Sequence, residues 1–570
     1  MITRVRTMHQ KASFCIPSLN AAETTGHIRE VNDVLKAIEF DDPESLAALL
    51  KSKDTLDTNG GNGWTVLHEA ARRGSRHCLL YLLHEFPGLV DRRTLQAETP
   101  LMVATERGDL DSMELLLEAG ANPDISGANR ETPLYRACEM GRESAVALLL
   151  DGGADPNHRC QRGWTALHEA AARNFASSVQ LLLTAGARLE SRNAYGLTPF
   201  FVAAQCGKPD TLCVLYSAGV DIDTQANDGA TALYEACKNE HVETVALLLR
   251  IGADANKATK DMLLPLHISA AKGNIRLLKL LLLLTSRSCV RKSGISPVYL
   301  AAENGHAEAL RLLLDAGYVP NAMLSRERAE RYEDGRATAL FAAVYGGYTA
   351  CVDILLSAGA DPNLDPVSPL VVAVKVGTVH LVKILIEAGA DLTASLPNNP
   401  CPFPVVLRLA LQRPDILKVL LDSGCEATAC FQCKFGSGPH PIRPTTAFCS
   451  RLRLGLSFGF QPWEGNRPLQ FCEIVASEEF DPWFEPALNT IIEYVNNVYV
   501  CSCLRDKLHN SPQCSSIAQI LDSPRTLAHQ CRLNIRRTIG PTRLKKISSL
   551  PLPCPLLAFL LHLPEGHLIT

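Results

Sequence analysis

The stretch TPLYRACEMGRESAVALLLDGGADPNHRCQRGWTALHEAAARN, Thr132 to Asn174, contains its own beginning again near its end. Thr132-Pro133-Leu134 returns as Thr165-Ala166-Leu167, and Ala137 returns as Ala170. Reading outward, the same phrase recurs as TVLHEAARRG at Thr65, TPLMVATERG at Thr99, TPFFVAAQCG at Thr198, TALYEACKNE at Thr231 and LPLHISAAKG at Leu264. It continues as SPVYLAAENG at Ser296, TALFAAVYGG at Thr338, SPLVVAVKVG at Ser368 and a degenerate VVLRLALQRP at Val405. From Thr99 to Leu264 the step is a constant 33 residues. Gly120, Gly153, Gly186, Gly219 and Gly252 keep the same phase, each after a leucine-rich segment.

A 33-residue period with a Thr-Pro-Leu-His phrase is the ankyrin signature. The residue types fit two short helices per period. Thr caps the first helix, Pro suits its first turn, and small alanines let the next repeat approach. Paired leucines such as Leu148 and Leu149 form the buried stripe of the second helix, and the glycine after it supplies a left-handed residue. Helices this short are unstable alone, so neighbours must stack. VLKAIEFDDPESLAALLKS, Val34 to Ser52, reads as a degenerate repeat serving as an N-terminal cap. The expected fold is an all-α repeat: an ankyrin solenoid of about eleven repeats plus this cap over residues 28–426, behind an N-terminal extension, residues 1–27, expected to be flexible.

At 570 residues the chain exceeds a single compact core, and 46% hydrophobic with 20% charged residues indicates a folded protein. A net charge of −4 gives no global reason to bind nucleic acid. The N-terminus lacks an apolar core of signal-peptide length, and the run LLKLLLLL, Leu277 to Leu284, is too short for a membrane span. Twenty cysteines without a secretory signal read as reduced thiols. A cytoplasmic or nuclear location and no membrane insertion are expected. No phosphate loop, nucleophile–base arrangement or paired metal-ligand motif is present, so no catalytic residue, cofactor or metal is assigned.

An ankyrin array presents inner helices and finger loops that bind proteins. Trp64 and Trp164 share one register at the base of the finger, where a tryptophan serves either as a substrate anchor or as packing between fingers. His68, His168 and His267 belong to the Thr-Pro-Leu-His phrase and read as structural. Between Ser296 and Thr338 the step widens to 42 residues. The surplus, SRERAERYEDGR, reads as a solvated loop, with an extra recognition finger as the sharper alternative.

Past Cys425 the period stops, and residues 427–521 form a Gly/Pro/Cys-rich connector and a helical segment around EPALNTIIEYVNNVYVCSCLRDKL, Glu485 to Leu508. Cys425, Cys430, Cys433 and His440 raise the question of zinc, but one CxxC without a matching pair is weak evidence. The tail, residues 522–563, opens on DSPRTLAHQCRLNIRRTIGP, Asp522 to Pro541. Ser523 and Pro524 suit a helix start, and Gly540 and Pro541 a stop. Leu527, Cys531, Ile535 and Ile539 form an apolar stripe, with Arg525, Arg532, Arg536 and Arg537 opposite. Leu550-Pro551-Leu552-Pro553 must be extended, and Pro555 can open a second apolar helix through Leu561. Residues 564–570 run on as PEGHLIT.

This tail resembles the SOCS box. Thr526-Leu527-x-x-x-Cys531-x-x-x-Ile535 is similar to that family's elongin-binding box, and Leu550-Pro551-Leu552-Pro553 to its cullin box of the cullin-5 type. Ankyrin repeats followed by such a box resemble the ankyrin repeat and SOCS box proteins. NHRCQRGWTALHEA, NAYGLTPFFVAAQ and ALYEACKNEHVETV look most similar to that family's second member. The family usually follows Leu-Pro-Leu-Pro with Gly-Arg-Leu, whereas this chain has Cys554-Pro555-Leu556, a departure that bears on cullin and not on elongin.

The resemblance implies a non-catalytic substrate-recognition subunit of a cullin-RING ubiquitin ligase. Leu527, Cys531 and Ile535 would engage elongin C with elongin B alongside; Leu550, Pro551, Leu552 and Pro553 would engage cullin-5 with its RING protein. The array would hold the substrate, with actin-crosslinking filamins the first candidates. Competing readings are an ankyrin scaffold that promotes no degradation, and binding to an anionic partner through Arg532, Arg536, Arg537, Arg543, Lys545 and Lys546. In a purely structural reading, Leu527, Cys531 and Ile535 pack onto the last repeat.

Overall fold

The computed structural model describes residues 31–50, 62–332, 336–395, 402–436, 438, 440, 470–477, 480–496, 498–510, 515–540, 544, 547 and 552–561. The N-terminal extension, Leu550, Pro551, and the 564–570 tail lie outside them. The described residues form helices and turns, with no strand among them. The chain divides into two compact units, residues 1–254 and 255–570.

The first unit opens with the cap. A helix over 31–39 is followed by Pro43–Leu49, whose N-cap Asp42 accepts from the Glu44 and Ser45 amides. Paired helices follow, beginning with Val66–Arg73 and Arg76–Glu85 and ending with Ala232–Lys238 and Val242–Arg250. The second unit resumes at Pro265–Lys272 and Ile275–Leu282 and reaches Val405–Ala410 and Pro414–Asp422. Ten first helices have the expected Thr, Ser or Leu as N-cap; the last, degenerate one starts at Val405 behind Pro404.

The phrase histidines are structural, as expected. His68 is fully buried; its Nδ1 accepts from the Thr65 amide at 3.2 Å, and its Nε2 donates to Glu98 O of the next repeat at 3.1 Å. His168 makes the same bonds to Thr165 and Leu197, and His267 to Leu264 and Ile295. Each histidine therefore links consecutive repeats as a neutral imidazole. Where Phe341 replaces the histidine, Asp365 of the following repeat accepts from the Ala337 and Thr338 amides, both at 2.9 Å.

Two glycine positions per repeat have different causes. Gly153 has φ +83 with open space where a Cβ would stand, so only its backbone conformation requires glycine. Gly141 has φ +69, and a Cβ there would lie 2.5 Å from Cζ of Phe175, a residue of the next repeat. Finger loops add polar rungs: Asp124 Oδ1 accepts from the Asp155 amide at 2.9 Å, and Asn157 Oδ1 from that of Arg188 at 2.8 Å. In the second helix of the repeat quoted first, Ala145, Val146 and Leu149 are buried while Leu148 is only half-buried, so the pair of leucines is split between core and rim.

The described part of the SRERAERYEDGR insertion, residues 325–332 and 336, is not a solvated loop. It contains the helical turn Arg326–Ala329 and folds back over earlier repeats of its unit. Arg328 donates to Ser293 O at 2.9 Å and also to Asp261 O. Tyr332 lies 6.5 Å from the Tyr299 ring, and Arg336 sits over the Tyr332 ring at 4.6 Å while pairing with Glu303 at 3.3 Å. Arginine stems and guanidinium planes that cover aromatic rings explain why so charged a segment packs.

The helical pattern expected over 485–508 is two helices, Asp481–Ile492 and Ser502–Asn510. Pro486 stands inside the first, still near its start. The first helix packs on Pro414–Asp422, the last helix of the array.

Candidate partner-binding site

The C-terminal helix runs Leu527–Ile539. Its N-cap is Thr526, whose hydroxyl accepts from the His529 amide at 3.2 Å, so the helix begins three residues later than Ser523-Pro524 suggested. Gly540, at φ +74, ends it as expected.

Its basic side faces inward. His529, Arg532 and Arg536 fall on one stripe of the helix at spacings of three and four, with Arg525 just before its N-cap. Arg525 donates to Ile492 O, and His529 Nε2 donates to Val495 O at 2.9 Å. Arg532 donates to His529 Nδ1 at 3.0 Å and lies 5.4 Å from the Phe559 ring centroid. Arg536 is 5% exposed. It donates to Leu421 O at 3.2 Å and Asp422 O at 2.7 Å, the C-terminal carbonyls of the last array helix. It also donates to Leu560 O at 2.7 Å, near the end of the helix Cys554–Leu561. One guanidinium thus caps two helix C-termini, where a cation suits both the orphan carbonyls and the helix dipole. Tyr494 lies beneath it, with its ring 5.5 Å away and its hydroxyl donating to Asp422. Burial lowers the Arg536 pKa, opposed by the nearby Tyr494 and Asp422; burial raises the Asp422 pKa and also lowers that of His529.

The apolar stripe consequently faces out. Leu527 is 76% exposed, Ile535 is 39% exposed, and Cys531 is exposed. The structural reading, in which these three pack on the last repeat, fails; only Ile539 of the stripe joins a core. That core is Leu544, Ile547, Leu557 and Leu560, with Leu552, Phe559 and Leu561 against it. Pro553, next in chain, is exposed. The anionic-partner reading loses Arg536 and half-buried Arg532 to internal contacts; Arg543, Lys545 and Lys546 lie outside the described residues.

In the first unit, Trp64 and Trp164 are half-buried and lie tilted against the histidines of their own repeats, at 5.3 and 5.7 Å between ring centroids. Trp64 also donates to Glu69 Oε2 at 3.2 Å. No helix among the described residues is long and apolar enough to cross a membrane.

An ankyrin-repeat family pattern, described as "Ankyrin repeats (3 copies)", matches overlapping segments from residue 34 to residue 395. The SOCS box pattern matches residues 523–561, the segment that contains the outward stripe. Ankyrin repeat and SOCS box protein 2 of Bos taurus is 52% identical over 94% of this chain and 84% of its own length. The Homo sapiens protein of that name is 52% identical with the same coverage. Ankyrin repeat and SOCS box protein 14 of Mus musculus is 35% identical over 52% of this chain and 49% of its own.

The chain belongs to the ankyrin repeat and SOCS box family. The resemblance to the family's second member holds over almost the whole chain. For a member of this family the SOCS box implies an adaptor role toward elongin and cullin components of a ubiquitin ligase, and a non-catalytic part in it. Sequence reasoning named Arg525, Arg532 and Arg536 as the basic side but missed His529 between them, the inward direction of that side and the acceptors that Arg536 meets at Leu421 and Asp422.

Proposed function

We propose that this chain is the substrate receptor of a cullin-5/elongin B–C RING ubiquitin ligase, which holds targets on its ankyrin repeats for ubiquitination and degradation. The observation that carries the reading is the inverted amphipathicity of Leu527–Ile539. Arg532 and Arg536 are engaged internally while Leu527, Cys531 and Ile535 stand uncovered in a row one side chain wide, the form in which a helix offers apolar anchors to a groove. Elongin C is the partner for that row, with elongin B alongside. Leu550 to Pro553 is the segment for cullin-5, and Cys554-Pro555 in place of Gly-Arg bears on the strength or selectivity of that contact. Trp64 and Trp164 are the first positions to vary for substrate, and filamins the first substrates to try, on the resemblance to the second member.

The test is co-purification of the full chain with elongins B and C. Leu527→Ala with Cys531→Ala should weaken capture at least about a hundredfold, since each ~1.4 kcal/mol is a factor of ten. The free chain should keep its thermal stability, because these side chains are exposed. Absence of elongins from the purified wild-type chain would leave a scaffold that promotes no degradation, and capture retained by the double variant would remove Leu527 and Cys531 from the contact.

A further inference from the structure

Three sulfurs and one imidazole converge in the second unit. Cys433 and His440 lie on the turn after the last array pair. Cys472 is on the helix Phe471–Val475, and Cys501 stands immediately before the helix Ser502–Asn510. Their donor atoms all lie within 4.8 Å of one another. Cys433 Sγ is 3.7 Å from Cys472 Sγ and 3.5 Å from His440 Nε2. A tetrahedral zinc with bonds of ~2.3 Å to sulfur and ~2.0–2.1 Å to nitrogen has S···S edges of about 3.8 Å and S···N edges of about 3.5 Å. These two separations match those edges, and all three thiols are free, far from the ~2.05 Å of a disulfide.

The surroundings prepare the geometry. Ser502 pins the turn that carries the first two donors: its amide donates to Gly436 O at 3.3 Å and its hydroxyl to Gly438 O at 2.9 Å. The Phe435 ring packs on His440 at 4.8 Å between centroids. The Glu473 carboxylate lies 3.9 Å from His440 Nδ1, which is also 4.0 Å from Cys472 Sγ, and is itself held by the Gln470 amide at 2.9 Å. The Cys425 and Cys430 weighed from sequence are not in the group. Cys425 Sγ is directed to Leu392 O at 3.9 Å, and Cys430 is buried in a separate turn.

We propose that Cys433, His440, Cys472 and Cys501 bind one structural zinc ion. Three thiols and one neutral imidazole fill all four positions, so the site is closed and holds chain to chain rather than a substrate. Binding forms three Zn–S bonds and one Zn–N bond and releases three thiol protons to solvent. The ion would fasten the end of the array to two helices of the connector, across a sequence separation of 39 residues from Cys433 to Cys472 alone.

The test uses the full chain, purified under reducing conditions. Elemental analysis should find about one zinc per chain, retained through dialysis against a weak chelator. Cys472→Ser and Cys501→Ser should each drop the content below about 0.2 per chain, whereas Cys425→Ser should retain it. Because a serine variant can misfold, the wild-type chain loaded with cobalt provides a second readout: an intense tetrahedral ligand-field spectrum with sulfur-to-cobalt charge transfer. Less than about 0.2 zinc per well-folded chain, full zinc in both Cys472→Ser and Cys501→Ser, or octahedral cobalt would each overturn the proposal.

Discussion

Arg536 donates to the backbone carbonyl of Asp422 at 2.7 Å, 114 residues earlier in the chain. With His529 bonded to Val495 O, it holds the helix with His529 and Arg536 inward and Leu527 outward. Arg536→Met keeps most of the side-chain volume and removes the donors. It should destabilise the C-terminal helix by about 2–4 kcal/mol, because buried carbonyls at two helix ends lose their partner. Arg537→Ala, at an exposed residue with a 3.7 Å surface ion pair, should change stability by under ~0.5 kcal/mol. Hydrogen exchange over residues 527–539 distinguishes the two; equal protection in both variants would remove Arg536 from its anchoring role.

The two described residues of the Leu-Pro-Leu-Pro segment should behave differently. Leu552 packs into the small core of Leu544, Ile547, Leu557 and Leu560, whereas Pro553 is exposed. Leu552→Ala should cost about 1–3 kcal/mol and lower elongin and cullin capture together. Pro553→Ala should leave elongin capture intact and lower cullin-5 capture alone. Pull-downs with each purified partner read both arms.

The insertion before Thr338 should prove to be a brace. Arg328→Ala removes bonds to Ser293 O and Asp261 O and should cost about 1–2 kcal/mol, read in chemical denaturation. Arg326, whose side chain is 91% exposed, should be silent when changed to Ala. Equal, negligible effects would restore the solvated-loop reading.

The phrase histidines predict acid sensitivity with a definite sign. Burial pushes His168 and His267 down to about 4, against about 6.5 in an unfolded chain. Below pH ~6.5 the unfolded chain takes up protons that the folded chain refuses. Their stabilising contribution is therefore complete above pH ~6.5 and is lost progressively as pH falls toward 4. At pH 5 the loss is about 2 kcal/mol per histidine, at ~1.4 kcal/mol per pH unit. His168→Gln should flatten the change in urea midpoint between pH 7.5 and pH 5, although it lowers the midpoint at pH 7.5.

The array was legible because its rules are local. Thr at the cap, Pro in the first turn and glycine at a left-handed site act within a few residues, and repetition averages out the degenerate copies. Trp64 and Trp164 were placed in register for the same reason. The C-terminal helix was legible as a helix but not in its orientation. An arginine at position 536 reads as a surface residue until Leu421 and Asp422 supply carbonyls, and no sequence period connects positions so far apart. Cys472 and Cys501 were hidden similarly. Counting CxxC favoured Cys430 with Cys433, whereas the fold groups Cys433 and His440 with thiols from two later elements.

Leu527, Cys531 and Ile535 lie uncovered on the unpartnered chain, and that carries a cost outside any complex. Exposed aliphatic side chains in a row are what chaperones and degradation machinery recognise in unfinished proteins. A newly made chain therefore has a limited time in which to find its partner. Its cellular abundance should follow the supply of that partner more closely than its own rate of synthesis, and surplus copies should be cleared.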